Sequence, residues 1–210
     1  MKTATRSMPH RGRFTTGLIL GLSLVAGAAQ ADEASVKAGR EAAQACAACH
    51  GDNGNSNNPA FPSIAGQPAG YLATQLRAYR DGTRENAIMS GQAANLSDEQ
   101  IRDIAAYYAA QERKVLNPAD EGSTLGSQLY HHGRDGVVAC AACHGAEGRG
   151  NQPAGFPAMR GLSPDYTAQS LKDYRRQARK GGKAEIMYPV VADLSDEEIE
   201  ALAAHIATFE

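Results

Sequence analysis

Cys46-Ala47-Ala48-Cys49-His50 recurs 94 residues later as Cys140-Ala141-Ala142-Cys143-His144, and the residues around the two copies correspond as well. With Cys46 laid over Cys140, Gly51 meets Gly145, Gly54 meets Gly148 and Pro59 meets Pro153. After one inserted residue, Gly155, Phe61-Pro62 meets Phe156-Pro157, Gly66 meets Gly161, Tyr71 meets Tyr166, and Tyr79-Arg80 meets Tyr174-Arg175. After three more inserted residues, Met89 meets Met187, and Leu96-Ser97-Asp98-Glu99 meets Leu194-Ser195-Asp196-Glu197. Matches in this order are the mark of internal duplication. The boundary falls near Asn117-Pro118-Ala119-Asp120, where proline is expected to stop the preceding helix in a polar segment.

The first 31 residues read as a leader. Lys2, Arg6, Arg11 and Arg13 precede an apolar run at 18–29, and Ala29-Gln30-Ala31 offers the small residues that a signal peptidase reads. A membrane anchor needs about 20 apolar residues, and this run is shorter and broken by Gly21 and Gly27. Cleavage after Ala31 removes four of the 21 Lys and Arg and none of the 23 Asp and Glu, leaving a net charge of −6. That balance argues against nucleic-acid binding and favours a partner with a basic face. The expected division is a signal peptide at 1–31, a first domain at 32–116, a linker at 117–122 and a second domain at 123–210.

The elements read as helical throughout. Ser97-Asp98-Glu99-Gln100 and Ser195-Asp196-Glu197-Glu198 have the form of capping boxes with acids in the first turn. Ile101, Ile104, Ala105 and Tyr108 fall on one helical face, and Ile199, Leu202, Ala203 and Ile206 repeat the rhythm. A further helix is expected over 71–80 and over 166–179, with shorter ones preceding and containing the cysteine clusters. No alternating strand pattern appears.

Two thiols separated by two residues on a helical turn can bond the two vinyl groups of one porphyrin, and the next imidazole then lies beneath the iron. A thioredoxin-like pair would need a βαβ context, and a zinc ribbon would place its two pairs about 15–20 residues apart. Disulfides, the ordinary use of four cysteines in an exported chain, do not explain the histidine after each second cysteine. The reading is therefore two covalently attached haem c groups, held by Cys46 and Cys49 and by Cys140 and Cys143, with His50 and His144 as proximal iron ligands. Covalent cofactors also supply apolar interior to domains of under about 100 residues.

A thioether opposite the histidine fills the sixth position in cytochromes that carry electrons at high potential. Met89 and Met187 are the candidates, each expected in a loop just before the last helix of its repeat. Met159 aligns with Ile64 and reads as packing. His131, His132 and His205 are weaker candidates in the second half. The carbonyls of Pro62 and Pro157 are expected to accept hydrogen bonds from Nδ1 of His50 and His144 and so orient the rings. Tyr79-Arg80 and Tyr174-Arg175 are candidates for contact with haem propionates, for the domain junction, or for a solvated helix face.

Cys46–Gly51 with Gly54-Asn55, Phe61-Pro62 leading to Gly66-Gln67, then Met89 and Leu96-Ser97-Asp98 resemble the first half of cytochrome c4. Gly136 to Gly145, Pro153 to Pro157, and Met187 with Leu194-Ser195 resemble its second half. The resemblance implies an all-α protein of two tandem class I cytochrome c domains, related by pseudo-twofold symmetry, with His–Met haems whose propionate edges face each other. It further implies a periplasmic electron carrier, soluble or loosely membrane-associated, that takes electrons from a quinol-oxidising complex or other donor and delivers them to a haem–copper oxidase. Two departures concern the second half. Arg160-Gly161-Leu162 replaces Ala65-Gly66-Gln67, and the stretch 177–186 is basic through Arg179, Lys180 and Lys183; both are expected to alter the surface near the second haem.

The expected function is outer-sphere electron transfer, with no enzyme activity because both iron positions are filled. The rival readings are the cytochrome subunit of a dehydrogenase complex such as flavocytochrome c sulfide dehydrogenase, and a di-haem peroxidase. The matched Met89 and Met187 speak against the peroxidase, which needs an open iron position.

Overall fold

The protein is described by a computed structural model covering residues 23–115 and 118–210, with residues 23–32 described by backbone alone. Most of the expected leader at 1–31, with its proposed charge and apolar regions, lies outside the described residues. Among the described residues, no helix is long and apolar enough to cross a membrane.

The first half comprises α1 (Ser23–Ala42), a short 3-10 turn (Gln44–Cys46), α2 (Ala47–His50), α3 (Ala69–Arg80), α4 (Met89–Ala93) and α5 (Asp98–Ala109). The second repeats the order as α6 (Thr124–His132), α7 (Ala141–His144), α8 (Pro164–Arg175), α9 (Ala184–Val191) and α10 (Asp196–Ile206). No strand forms among the described residues; Arg134 with Val137 and Asn151 with Phe156 make isolated bridges.

Each half closes on its last helix. The Ser97 hydroxyl accepts from the Gln100 N–H at 3.1 Å, and the Ser97 N–H donates to Gln100 Oε1 at 3.0 Å. Ser195 and Glu198 repeat the exchange at 3.1 and 2.8 Å. These reciprocal bonds satisfy amide groups that a helix start leaves open. Ile101, Ile104, Ala105 and Tyr108, and equally Ile199, Leu202, Ala203 and Ile206, are buried as their spacing predicts. Burying such aliphatic side chains contributes about 1.5–3 kcal/mol each.

The first helix of each half crosses the last at a glycine. A Cβ added to Gly39 would collide with the carbonyl of Asp103, and one added to Gly126 would collide with the carbonyl of Ala201. Only glycine lets the two backbones meet at that distance.

Two helix ends differ from expectation. α8 stops at Arg175 rather than 179, because the chain reverses at Gln177 with φ of 56° and the N–H groups of Ala178 and Arg179 both return to the Asp173 carbonyl. α5 stops at Ala109, well before Pro118, so proline is not what ends it. The following segment is held instead by tertiary bonds: Lys114 N–H donates to Asn55 Oδ1 at 2.8 Å, and the buried Arg113 guanidinium donates to the carbonyls of Ser63, Ala65 and Arg160.

Candidate cofactor sites

A cavity lies beneath the last helix of each half, of about 1360 Å³ in the first and 630 Å³ in the second, each bounded in part by the other half. The first is lined by Cys46, Cys49, His50 and Met89, the second by Cys140, Cys143, His144 and Met187. The structure thus brings together the four side chains expected to act on each cofactor. Met89 and Met187 stand on the short helices α4 and α9 rather than in loops.

His50 and His144 are buried, and Nδ1 of each lies 2.8 Å from a carbonyl, that of Pro62 and of Pro157 respectively. A carbonyl only accepts, so Nδ1 carries the hydrogen and Nε2 keeps its lone pair for a metal. Burial pushes both imidazole pKa values down, against the opposing effect of the proline carbonyls, and so favours the neutral ring a ligand requires. Phe61 meets the His50 ring edge-on at 6.4 Å between centroids, and Phe156 lies tilted against His144 at 6.1 Å.

Among the described residues, none of the four cysteines is joined in a disulfide. Burial raises the pKa of Cys46, and that of Cys140 to about 11.

Among the described residues, three buried polar atoms lack a partner: the hydroxyls of Tyr108 and Thr167 and Nε of Arg179. Tyr108 lines the first cavity, Thr167 the second and Arg179 both. Unpartnered buried polar groups are costly, and their placement around large apolar cavities with paired thiols fits a porphyrin bearing polar substituents. Met159 also lines the second cavity and packs on its core. His131 and His205 instead lie with their Nε2 atoms 3.4 Å apart, and with His132 they are absent from the lining of either cavity.

The wall between the cavities is the domain junction. Tyr71, Gln75, Tyr166, Ser170 and Arg179 line both. Tyr79 shares the electrostatic environment of Tyr166 and Arg179, in keeping with a place at the junction. Arg80 and Arg175 do not: Arg80 donates to the Leu96 carbonyl at 3.2 Å and to Asp98 at 3.0 Å, while Arg175 binds the Leu194 carbonyl at 2.5 Å and also pairs with Asp196. Both arginines secure the start of a last helix.

The departures in the second half also serve the junction. Gln67 has a mate in Leu162, yet Gln67 alone spans the boundary, through two bonds to the backbone of Ala158. Gln152 donates to the Gly66 carbonyl at 3.0 Å and Ser163 to that of Pro59 at 2.7 Å. In the basic stretch, Arg179 is buried and faces inward, whereas Lys180 and Lys183 are exposed, the latter donating to the Ala154 carbonyl at 2.6 Å. Arg179 is thus withdrawn from the expected basic surface, while Lys180 and Lys183 stay on it. The roles of Arg113 and Arg179 were not foreseen, although Arg84 and Arg179 share the 95-residue offset that relates Tyr71 to Tyr166.

The fold and its two thiol-and-imidazole cavities define a di-haem c-type cytochrome, with one covalent haem c in each half. A profile of the cytochrome c family matches residues 36–110 and 123–210. Cytochrome c4 of Pseudomonas aeruginosa is 38% identical over 155 residues, covering 71% of this chain and 77% of that protein. A thiosulfate dehydrogenase electron acceptor of Thiomonas intermedia is 35% identical over 159 residues, covering 71% and 72%. The crystal structure of reduced cytochrome c4 from Pseudomonas stutzeri superposes with a TM-score of 0.77 at 37% identity, covering 83% of this chain and 98% of that one. The chain belongs to the cytochrome c4 family. It is an electron-transfer protein, not an enzyme, and its partners are redox proteins.

Proposed function

We propose that the protein is a periplasmic carrier in which His50 with Met89, and His144 with Met187, ligate the two irons, the exported chain beginning after Ala31. The division into domains at 32–116 and 123–210 belongs to the same reading. When bound, haem supplies the ferric–ferrous couple that makes one-electron transfer possible. The chain's own contribution is to keep each imidazole neutral and oriented, to offer a thioether in the same cavity, and to surround both with apolar walls. The observation that carries the reading is the repeated pairing of a proline carbonyl with histidine Nδ1 in a cavity that also holds a methionine.

The test is the optical spectrum of the ferric protein. Two low-spin haems, each with the long-wavelength charge-transfer band of a thioether on iron, are expected. High-spin iron in either half overturns the assignment for that half.

For the partners, the reading is transfer from a quinol-oxidising complex to a haem–copper oxidase. A second reading, service to a dehydrogenase, is favoured by the related thiosulfate dehydrogenase electron acceptor. Reduction of the purified protein by a quinol-oxidising complex but not by a periplasmic dehydrogenase fraction supports the first, and the converse supports the second.

A further inference from the structure

The shared wall of the two cavities has twofold wiring. Arg84 lies over its own Tyr79, 4.5 Å from guanidinium carbon to ring centroid, donates to its own Gln75 at 2.5 Å, and acts electrostatically on Tyr166 across the boundary. Arg179 lies over its own Tyr174 at 4.7 Å, donates to its own Ser170 at 3.1 Å, and reaches the Tyr71 phenol across the boundary at 2.6 Å. Each arginine stands in the loop that follows the second long helix of its half.

Arg179 is the more deeply placed of the two. Its residue is 5% exposed, and its Nε has no partner. Among the described residues, no Asp or Glu forms an ion pair with either arginine. A buried charge without a counter-ion costs several kcal/mol, so a fold that retains one is built around an anion. Each haem would bring two propionate carboxylates, and Arg179 lines both cavities.

We propose that Arg179 is a counter-ion shared by the two haems, binding a propionate carboxylate from each and tying both reduction potentials to one buried charge. The inference rests on the two-haem content of the family and is independent of the methionine assignments. A guanidinium suits the role because its planar fork presents donors in several directions and stays charged when desolvated. A fixed cation beside a redox centre favours the electron-richer state, so one charge on the shared wall raises both potentials. The phenol of Tyr166 senses the same field: burial would raise its pKa, but Arg179 and Arg84 outweigh this and bring it down to about 8.

The test is a potentiometric titration that resolves both haems in the wild type, Arg179→Gln and Arg179→His. In Arg179→Gln the reduced-to-oxidised ratio at fixed potential is expected to fall about tenfold at both haems, equivalent to about 59 mV for a one-electron couple. Arg179→His covers the case in which the neutral variant does not fold. Its imidazolium is charged in acid, and both potentials should step down together between about pH 5 and 8, a step absent from the wild type. A shift confined to one haem, or none at either, overturns the proposal. Loss of the thioether band in the wild type would instead remove the ligand assignment, with the Arg179 comparison still readable.

Discussion

Gln67 and Ala158 hold each other by both ends of an amide: Gln67 Nε2 donates to the Ala158 carbonyl and the Ala158 N–H donates to Gln67 Oε1, each at 2.8 Å and wholly buried. Gln67→Leu copies the residue that the second half carries at Leu162. It leaves a buried N–H and a buried carbonyl unpaired, each worth about 1–3 kcal/mol. Chemical denaturation of the holoprotein should show a loss of about 2–4 kcal/mol; an unchanged midpoint would mean that water replaces both bonds.

The helix crossings predict opposite effects for one kind of substitution. Gly39→Ala and Gly126→Ala drive a methyl group into a backbone carbonyl, and each should destabilise its half by about 3 kcal/mol or prevent folding. Gly91→Ala, within α4 and with open space around its Cβ position, should stabilise by about 0.5–1 kcal/mol. Thermal melts of the three variants suffice.

Two methionines line the second cavity, and only one aligns with Met89. Met187→Ala should abolish one of the two thioether bands and make that haem high-spin. Met159→Ala should leave both bands and cost about 2–4 kcal/mol of stability through the space it vacates in the core. The reverse pattern would exchange their roles.

Acid should loosen the start of α10. The Arg134 guanidinium, the Ser195 N–H and the surrounding charge hold the Glu198 carboxyl down from 4.5 to about 2. Because the folded value is the depressed one, the stabilisation is complete above about pH 4.5 and is lost as pH falls towards about 2. Glu198→Gln keeps the capping bond but not the charge. Its melting temperature should fall less than that of the wild type across this window.

What could be read from the sequence was whatever is local or repeated. Ser97 and Ser195 declare their helices through neighbours three residues on, and Ile101 to Tyr108 declare a buried face by spacing alone. Even the bond from His50 to Pro62 was accessible, because Phe-Pro recurs after each cysteine cluster with only Gly155 inserted. The contacts that escaped join residues whose proximity depends on how the two halves meet. Arg113 gave no sign of binding carbonyls on both sides of the boundary, and Arg179 looked like part of a solvated basic run. Its inward turn follows from the positive φ at Gln177, which no residue preference announces. Gly39 and Gly126 escaped for another reason: they lie at different distances from their cysteine clusters, so the duplication did not align them.

Arg113 binds carbonyls of both halves from the first half's own trailing segment, and on the far side the Ala119 N–H is already tied to the Ala207 carbonyl. The junction is thus held by bonds on either side of the connecting segment. A chain nicked between residues 115 and 118 should still migrate as one particle, its halves associated as subunits of a dimer are. Fusion of the duplicated copies then contributed proximity, by raising the effective concentration of one half around the other. The recognition between them is written on their surfaces.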